Sequence, residues 1–128
     1  MKILVAEDDK IHAKILLELL SPYGEVELCV NGTDAMESFL HEESDPFDLV
    51  CLDINMPGLN GQEVLLQLRA FESEQGIAPA ECCKVIMITS EGDPYNVLSA
   101  FREQCDSYLV KPVLPEKLAE VLRELSLL

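Results

Sequence analysis

Along this chain, short apolar runs alternate with longer stretches in which apolar residues recur every three or four positions. Residues 3–6 are the first run, and it breaks into Glu7, Asp8 and Asp9. From Lys10 onward Ile11, Ile15, Leu16, Leu19 and Leu20 keep helical spacing until Pro22 and Gly24 close the segment. Residues 26–30 read as a second strand. A turn through Asn31 and Gly32 then opens a helix striped by Ala35, Met36, Phe39 and Leu40, which fades before Pro46. The third strand, 47–53, stops at Asp53, and Pro57, Gly58, Asn60 and Gly61 turn the chain into a helix marked by Val64, Leu65, Leu68 and Phe71. After a polar loop at 72–76, residues 85–88 form a fourth strand that hands over to Thr89, Ser90, Glu91 and Gly92. Asp93 followed by Pro94 is a capping residue with proline in the first helical position, so a fourth helix starts there, with Val97, Leu98, Phe101 and Cys105 inward. Residues 108–110 give a fifth strand stopped by Lys111 and Pro112, and Pro115 opens a last helix facing inward through Leu118, Val121, Leu122 and Leu125.

Five strands alternating with five helices, the strands short and apolar on both faces, predict an α/β fold: a doubly wound, five-stranded parallel sheet with helices on both sides. With 128 residues and no repeat or linker, the expectation is one domain covering 1–128. In such a sheet all strands end at one edge, where ligands bind. Asp8 and Asp9, Asp53, Thr89 and Lys111 all follow strands and therefore converge there.

Charge narrows the functions this edge can serve. Nine basic against twenty-four acidic side chains leave a net charge of -15, which repels nucleic acid and anionic lipid. No apolar run approaches the roughly 18 residues of a membrane span, and the amino terminus turns acidic too soon for a signal peptide, so a cytoplasmic protein is expected. Cys29, Cys51, Cys82, Cys83 and Cys105 lack metal-ligand spacing and read as packed free thiols, with a redox role for adjacent Cys82 and Cys83 as the alternative. His12 and His41 have no partner at ligand spacing and read as surface residues.

Three carboxylates brought together repel one another unless a cation sits among them, and hard oxygen ligands suit Mg²⁺. A hydroxyl and an ammonium beside them fit an anion with several oxygens, which points to a phosphoryl group on or near Asp53 as nucleophile. Asp8-Asp9, Asp53 with Met56-Pro57-Gly58 and Gly61 downstream, Thr89, and Tyr108 preceding Lys111-Pro112 together resemble the receiver domains of two-component response regulators, in particular the stand-alone chemotaxis-regulator (CheY-like) type.

That resemblance covers essentially the whole chain and implies a flavodoxin-like strand order 2-1-3-4-5. It also implies roles. Asp53 accepts a phosphoryl group from a phosphohistidine on a histidine kinase or phosphotransfer protein. Asp8, Asp9, Asp53 and the Asn55 carbonyl hold Mg²⁺, and Lys111 binds the phosphoryl oxygens. Thr89 and Tyr108 switch, and the surface of the fourth helix, fifth strand and fifth helix meets a downstream protein. Asn55 and Glu91, each two places beyond a site residue, flank the path of a hydrolytic water and imply self-catalysed loss of the phosphoryl group.

Two alternatives stay open: a receiver cut from a longer regulator or phosphorelay protein, and a phosphatase of the haloacid dehalogenase kind. The second uses the same chemistry but needs an acid two places after the nucleophile, where this chain has Asn55. Sequence leaves the Lys111-Pro112 bond cis or trans, and leaves the polar segment 72–79 as either a kinase contact or an inert loop.

Overall fold

The structure, a computed structural model, describes residues 1–41, 45–90 and 104–128. The helix expected after Pro94 and the candidate residue Glu91 lie outside the described residues. The elements are β1 (Lys2–Ala6), α1 (Lys10–Leu20), β2 (Glu25–Cys29), α2 (Gly32–His41), β3 (Leu49–Asp53), α3 (Gly61–Glu74), β4 (Lys84–Thr89), β5 (Ser107–Val110) and the C-terminal helix α4 (Pro115–Glu124). The five strands form one parallel sheet in the order β2-β1-β3-β4-β5. The described residues thus contain the five expected strands and four of the five expected helices. None of those helices is long and apolar enough to cross a membrane.

Strand alternation divides the core into two layers. Leu4, Ala6, Val50, Leu52, Val85 and Met87 face the layer built by α2 and α3 through residues such as Met36, Phe39, Leu65 and Leu68. Ile3, Val5, Leu49, Cys51, Ile86, Ile88 and Leu109 face the opposite layer, built by α1 and α4 through Leu16, Leu20, Leu118 and Leu122. The central strand β3 is buried along its whole length, whereas the edge strand β2 alternates exposed and half-buried positions before ending in buried Cys29.

Where the periodicity misled, helical geometry explains it. The buried stripe of α1 is Ala13, Leu16 and Leu20. At 100° per residue Ile11 falls on the other side of that helix, and it is 74% exposed. Val30 lies beyond the end of β2 and is exposed. The third helix runs on to Glu74, through residues that sequence assigns to a loop.

Candidate functional site

The same alternation that builds the core aims the site. Glu7 continues the face of Ile3 and Val5, Asp53 that of Leu49 and Cys51, and Lys111 that of Leu109, all toward the α1 and α4 layer. The strands are in register, Ala6 against Leu52 and Asp53 against Ile88, so these side chains meet at the carboxyl edge of the sheet. The backbone of Asp53 passes against Gly61, where a Cβ would collide with the Asp53 carbonyl oxygen. Glycine is therefore required for α3 to start this close to the site.

Asp53 is 3% exposed. Its Oδ1 accepts the Asn55 backbone N–H at 3.1 Å, and its Oδ2 accepts from Lys111 Nζ at 3.1 Å. The same ammonium lies 2.8 Å from Glu7 Oε1, and the Lys111-Pro112 peptide bond is cis. Glu7, Asp8 and Asp53 each offer a carboxylate oxygen within 4.8 Å of the others. An all-oxygen set of that size suits a small hard divalent cation.

Asp9 does not join that group. It is the N-cap of α1, and its Oδ1 takes the backbone N–H groups of Ile11 at 2.9 Å and His12 at 3.4 Å. These bonds hold its pKa below the ordinary carboxylate value. The acidic run after β1 is thus divided differently from the expectation: Glu7 and Asp8 face the site and Asp9 starts the helix. A signal for this is present in the sequence, because Glu7 extends the inward parity of Ile3 and Val5.

Glu7 is completely buried. Burial, reinforced by the neighbouring Asp53 carboxylate and opposed by Lys111, pushes its pKa up to about 7. Burial alone would lower the Lys111 pKa, but its pairing with the Glu7 and Asp53 carboxylates outweighs that and raises it. The Glu7 shift has a definite sign. From its ordinary value of 4.5 up to about 7 the folded protein holds a proton that the unfolded chain releases, so this stability is complete below that window and lost as pH rises through it. Thermal unfolding in chelator is expected to give a lower Tm at about pH 8 than at about pH 5, and Glu7→Gln to flatten the difference. An equal pH slope in wild type and variant would refute the assignment.

Thr89 ends β4 one residue past Ile88, the register partner of Asp53. It is buried, and its Oγ1 donates to the Ser90 carbonyl at 3.2 Å. The Thr89 carbonyl accepts the Lys111 N–H at 2.8 Å, which ties the two loops together. Tyr108 is 40% exposed on β5. The cysteines are free thiols, and burial raises the pKa of Cys51 to about 12 and of Cys105 to about 11. His12, expected at the surface, is mostly buried, with Nδ1 3.8 Å from Glu7 Oε1. Sequence reasoning missed it because α1's inner stripe was drawn through Ile11.

Over residues 3–123 the chain matches the response regulator receiver domain family. It is 31% identical over 126 residues to the sensory/regulatory protein RpfC of Xanthomonas campestris pv. campestris (strain 8004), covering 98% of this chain and 16% of that protein. It is 28% identical over 126 residues to the chemotaxis protein CheY homolog of Campylobacter jejuni, covering 97% of this chain and 91% of that one. Among solved structures, a response regulator receiver domain protein from Clostridium thermocellum superposes with a TM-score of 0.80 at 28% identity, covering 96% of this chain and 91% of that chain. The chain belongs to the response regulator receiver domain family, the phosphoaspartate switches of two-component signalling.

Proposed function

We propose that residues 1–128 act as one receiver domain in which Asp53 takes a phosphoryl group from a phosphohistidine on a histidine kinase or phosphotransfer protein. The observation that carries this is the buried Asp53 carboxylate with Lys111 Nζ at 3.1 Å and the Glu7 and Asp8 oxygens beside it. An Asp53 oxygen attacks phosphorus as the phosphorus–nitrogen bond to the donor imidazole breaks. Lys111 then leaves the carboxylates for the new phosphoryl oxygens, where a fixed ammonium stabilises the added charge.

Mg²⁺ fits the donor set, with Glu7, Asp8, Asp53 and the Asn55 carbonyl as the residues that would hold it; when bound, it neutralises charge on the transferred phosphoryl group. Glu7 takes the place that the sequence alone assigned to Asp9, since both Asp9 contacts above serve the helix cap.

Thr89 and Tyr108 are the switch in this reading. The Thr89 hydroxyl now bonded to Ser90 turns to a phosphoryl oxygen, and Tyr108, half out of the surface, follows it inward. The surface of β5 and α4, with a groove of about 330 Å³ lined by Tyr108, Val110, Leu114 and Val121 among others, passes the change to a downstream protein, together with the helix expected after Pro94. A cytoplasmic location follows from the kinase chemistry, and nucleic acid is disfavoured as a direct partner by the charge.

The test is incubation with acetyl phosphate and Mg²⁺, followed by intact mass. A gain of one phosphoryl group is expected, and steady hydrolysis of phosphoesters without a stable adduct would overturn the reading in favour of a phosphatase. The resemblance gives Asn55 and Glu91 the tuning of water attack on the acyl phosphate, so after removal of the donor the added mass is expected to decay within minutes. A phosphorylated form that persists for many hours would sink the self-dephosphorylation.

A further inference from the structure

Among the described residues, the buried side-chain polar atoms without a hydrogen-bond partner are Glu7 Oε1 and His12 Nδ1, and they face one another at 3.8 Å. That is too long for a hydrogen bond, and closing it takes a movement of about 1 Å. The cation at Glu7 Oε1 is shared. Lys111 Nζ stands 2.8 Å from that oxygen and 3.1 Å from Asp53 Oδ2. The other Glu7 oxygen, Oε2, already accepts the Asp9 N–H at 3.2 Å.

A phosphoryl group on Asp53 draws Lys111 away and leaves Oε1, in a completely buried carboxylate, without the ammonium that now stands 2.8 Å from it. A buried charged acceptor left in that state costs affinity for whatever the state requires. Only a side chain already in the pocket can replace the lysine without a backbone change, and His12 fits that condition. Its own N–H is anchored to Asp9 Oδ1 at 3.4 Å, so its ring can rotate while the first turn of α1 stays fixed.

We propose that His12 is a positioning residue for Glu7: its neutral imidazole donates Nδ1–H to Glu7 Oε1 when Lys111 is engaged on the phosphoryl group, and so keeps the Glu7 carboxylate oriented toward the metal. The role deepens the assignment of Asp53 as phosphoacceptor and rests on it. It requires one tautomer, with the proton on Nδ1, because a neutral imidazole carries a single N–H.

The experiment uses beryllofluoride with Mg²⁺ as the probe of the phosphorylated state. Nitrogen-15 NMR of wild type is expected to show Nδ1 of His12 as the protonated nitrogen, with a hydrogen-bond coupling that appears on addition of the probe. In calorimetric titration His12→Leu is expected to weaken beryllofluoride binding roughly tenfold. His12→Asn, whose amide nitrogen occupies the place of Nδ1, is expected to restore most of it. Failure of wild type to bind the probe would overturn the phosphoacceptor reading itself. Binding by wild type and His12→Leu alike, or a bare Nδ1 in the bound state, would overturn the role of His12 alone. Should His12→Leu unfold, the tautomer and the asparagine variant still decide.

Discussion

Asp53→Asn is expected to gain no phosphoryl group from acetyl phosphate and Mg²⁺ under conditions that load the wild type fully, as read by intact mass. Asparagine keeps the shape of the side chain, and its carbonyl oxygen can still accept the Asn55 N–H that now bonds Oδ1 at 3.1 Å. What it lacks is the anionic oxygen that attacks phosphorus in the proposed transfer. The same change should raise the melting temperature in chelator by a few degrees. One of three carboxylates within 4.8 Å of each other disappears, and Lys111 is left to pair with Glu7, 2.8 Å away. Loss of loading together with a higher Tm separates removal of a nucleophile from damage to the fold. Phosphoryl incorporation that persists in the variant would move the acceptor elsewhere.

The largest effect on stability is expected far from that edge, at Arg69. Its guanidinium bridges Glu72 Oε1 at 2.7 Å and Asp106 Oδ2 at 2.9 Å, and donates to the carbonyls of Cys83 at 2.9 Å and Gln104 at 3.0 Å. Glu72 is 3% exposed. Its second oxygen accepts the Cys83 N–H at 2.9 Å, and Asp106 accepts the Val85 N–H at 2.7 Å. One residue of α3 thereby ties together the starts of β4 and β5. Burial alone would lower the Arg69 pKa, but the hydrogen bond and charge of Glu72 and the neighbouring charges raise it.

Arg69→Met removes the cation and leaves the buried Glu72 and the partly buried Asp106 without their shared counter-ion, at a cost of about 3 kcal/mol. For a domain of this size that lowers Tm by roughly 10 °C. Arg69→Met combined with Glu72→Gln should recover part of the loss, because the remaining group is neutral. An unchanged Tm in Arg69→Met would show that these carboxylates do not need the guanidinium.

This network corrects the sequence reading of the segment from Glu72 onward. Glu72 looks like the first residue of a polar loop because charged residues crowd positions 72–76. In the fold it is a buried partner of Arg69 and belongs to a helix that continues to Glu74. The charged run hides it: Arg69 stands one helical turn back, but the Cys83 N–H lies 11 residues on, and only the packing of α3 beside β4 brings it close.

The strands were legible for the opposite reason. A parallel strand buried on both faces must be an apolar run, so β1, β3 and β4 announce themselves. The residue that ends each run then lies at a common edge whatever the details of packing. That much places Asp53, Thr89 and Lys111 together before any coordinates are known. The periodicity of helices is looser. Ile11 satisfies an apolar count and still points outward, because only the tertiary contacts of Ala13, Leu16 and Leu20 set which side of α1 is inner.

By itself the sequence determined the parallel α/β architecture, the one-edge convergence of a carboxylate, a hydroxyl and an ammonium, and Asp53 as the residue at their centre. These follow from composition and alternation, which are properties of neighbours along the chain. The tertiary structure decided which of three consecutive acids face Asp53. A strand's last side chain and a helix's cap compete for those positions, and the outcome, Glu7 inward with Asp9 capping, depends on where β1 stops being paired to β3. It also decided that Lys111 is shared between Glu7 and Asp53 and that His12 faces the same oxygen, since distances between side chains on different elements are set by packing and by no local pattern.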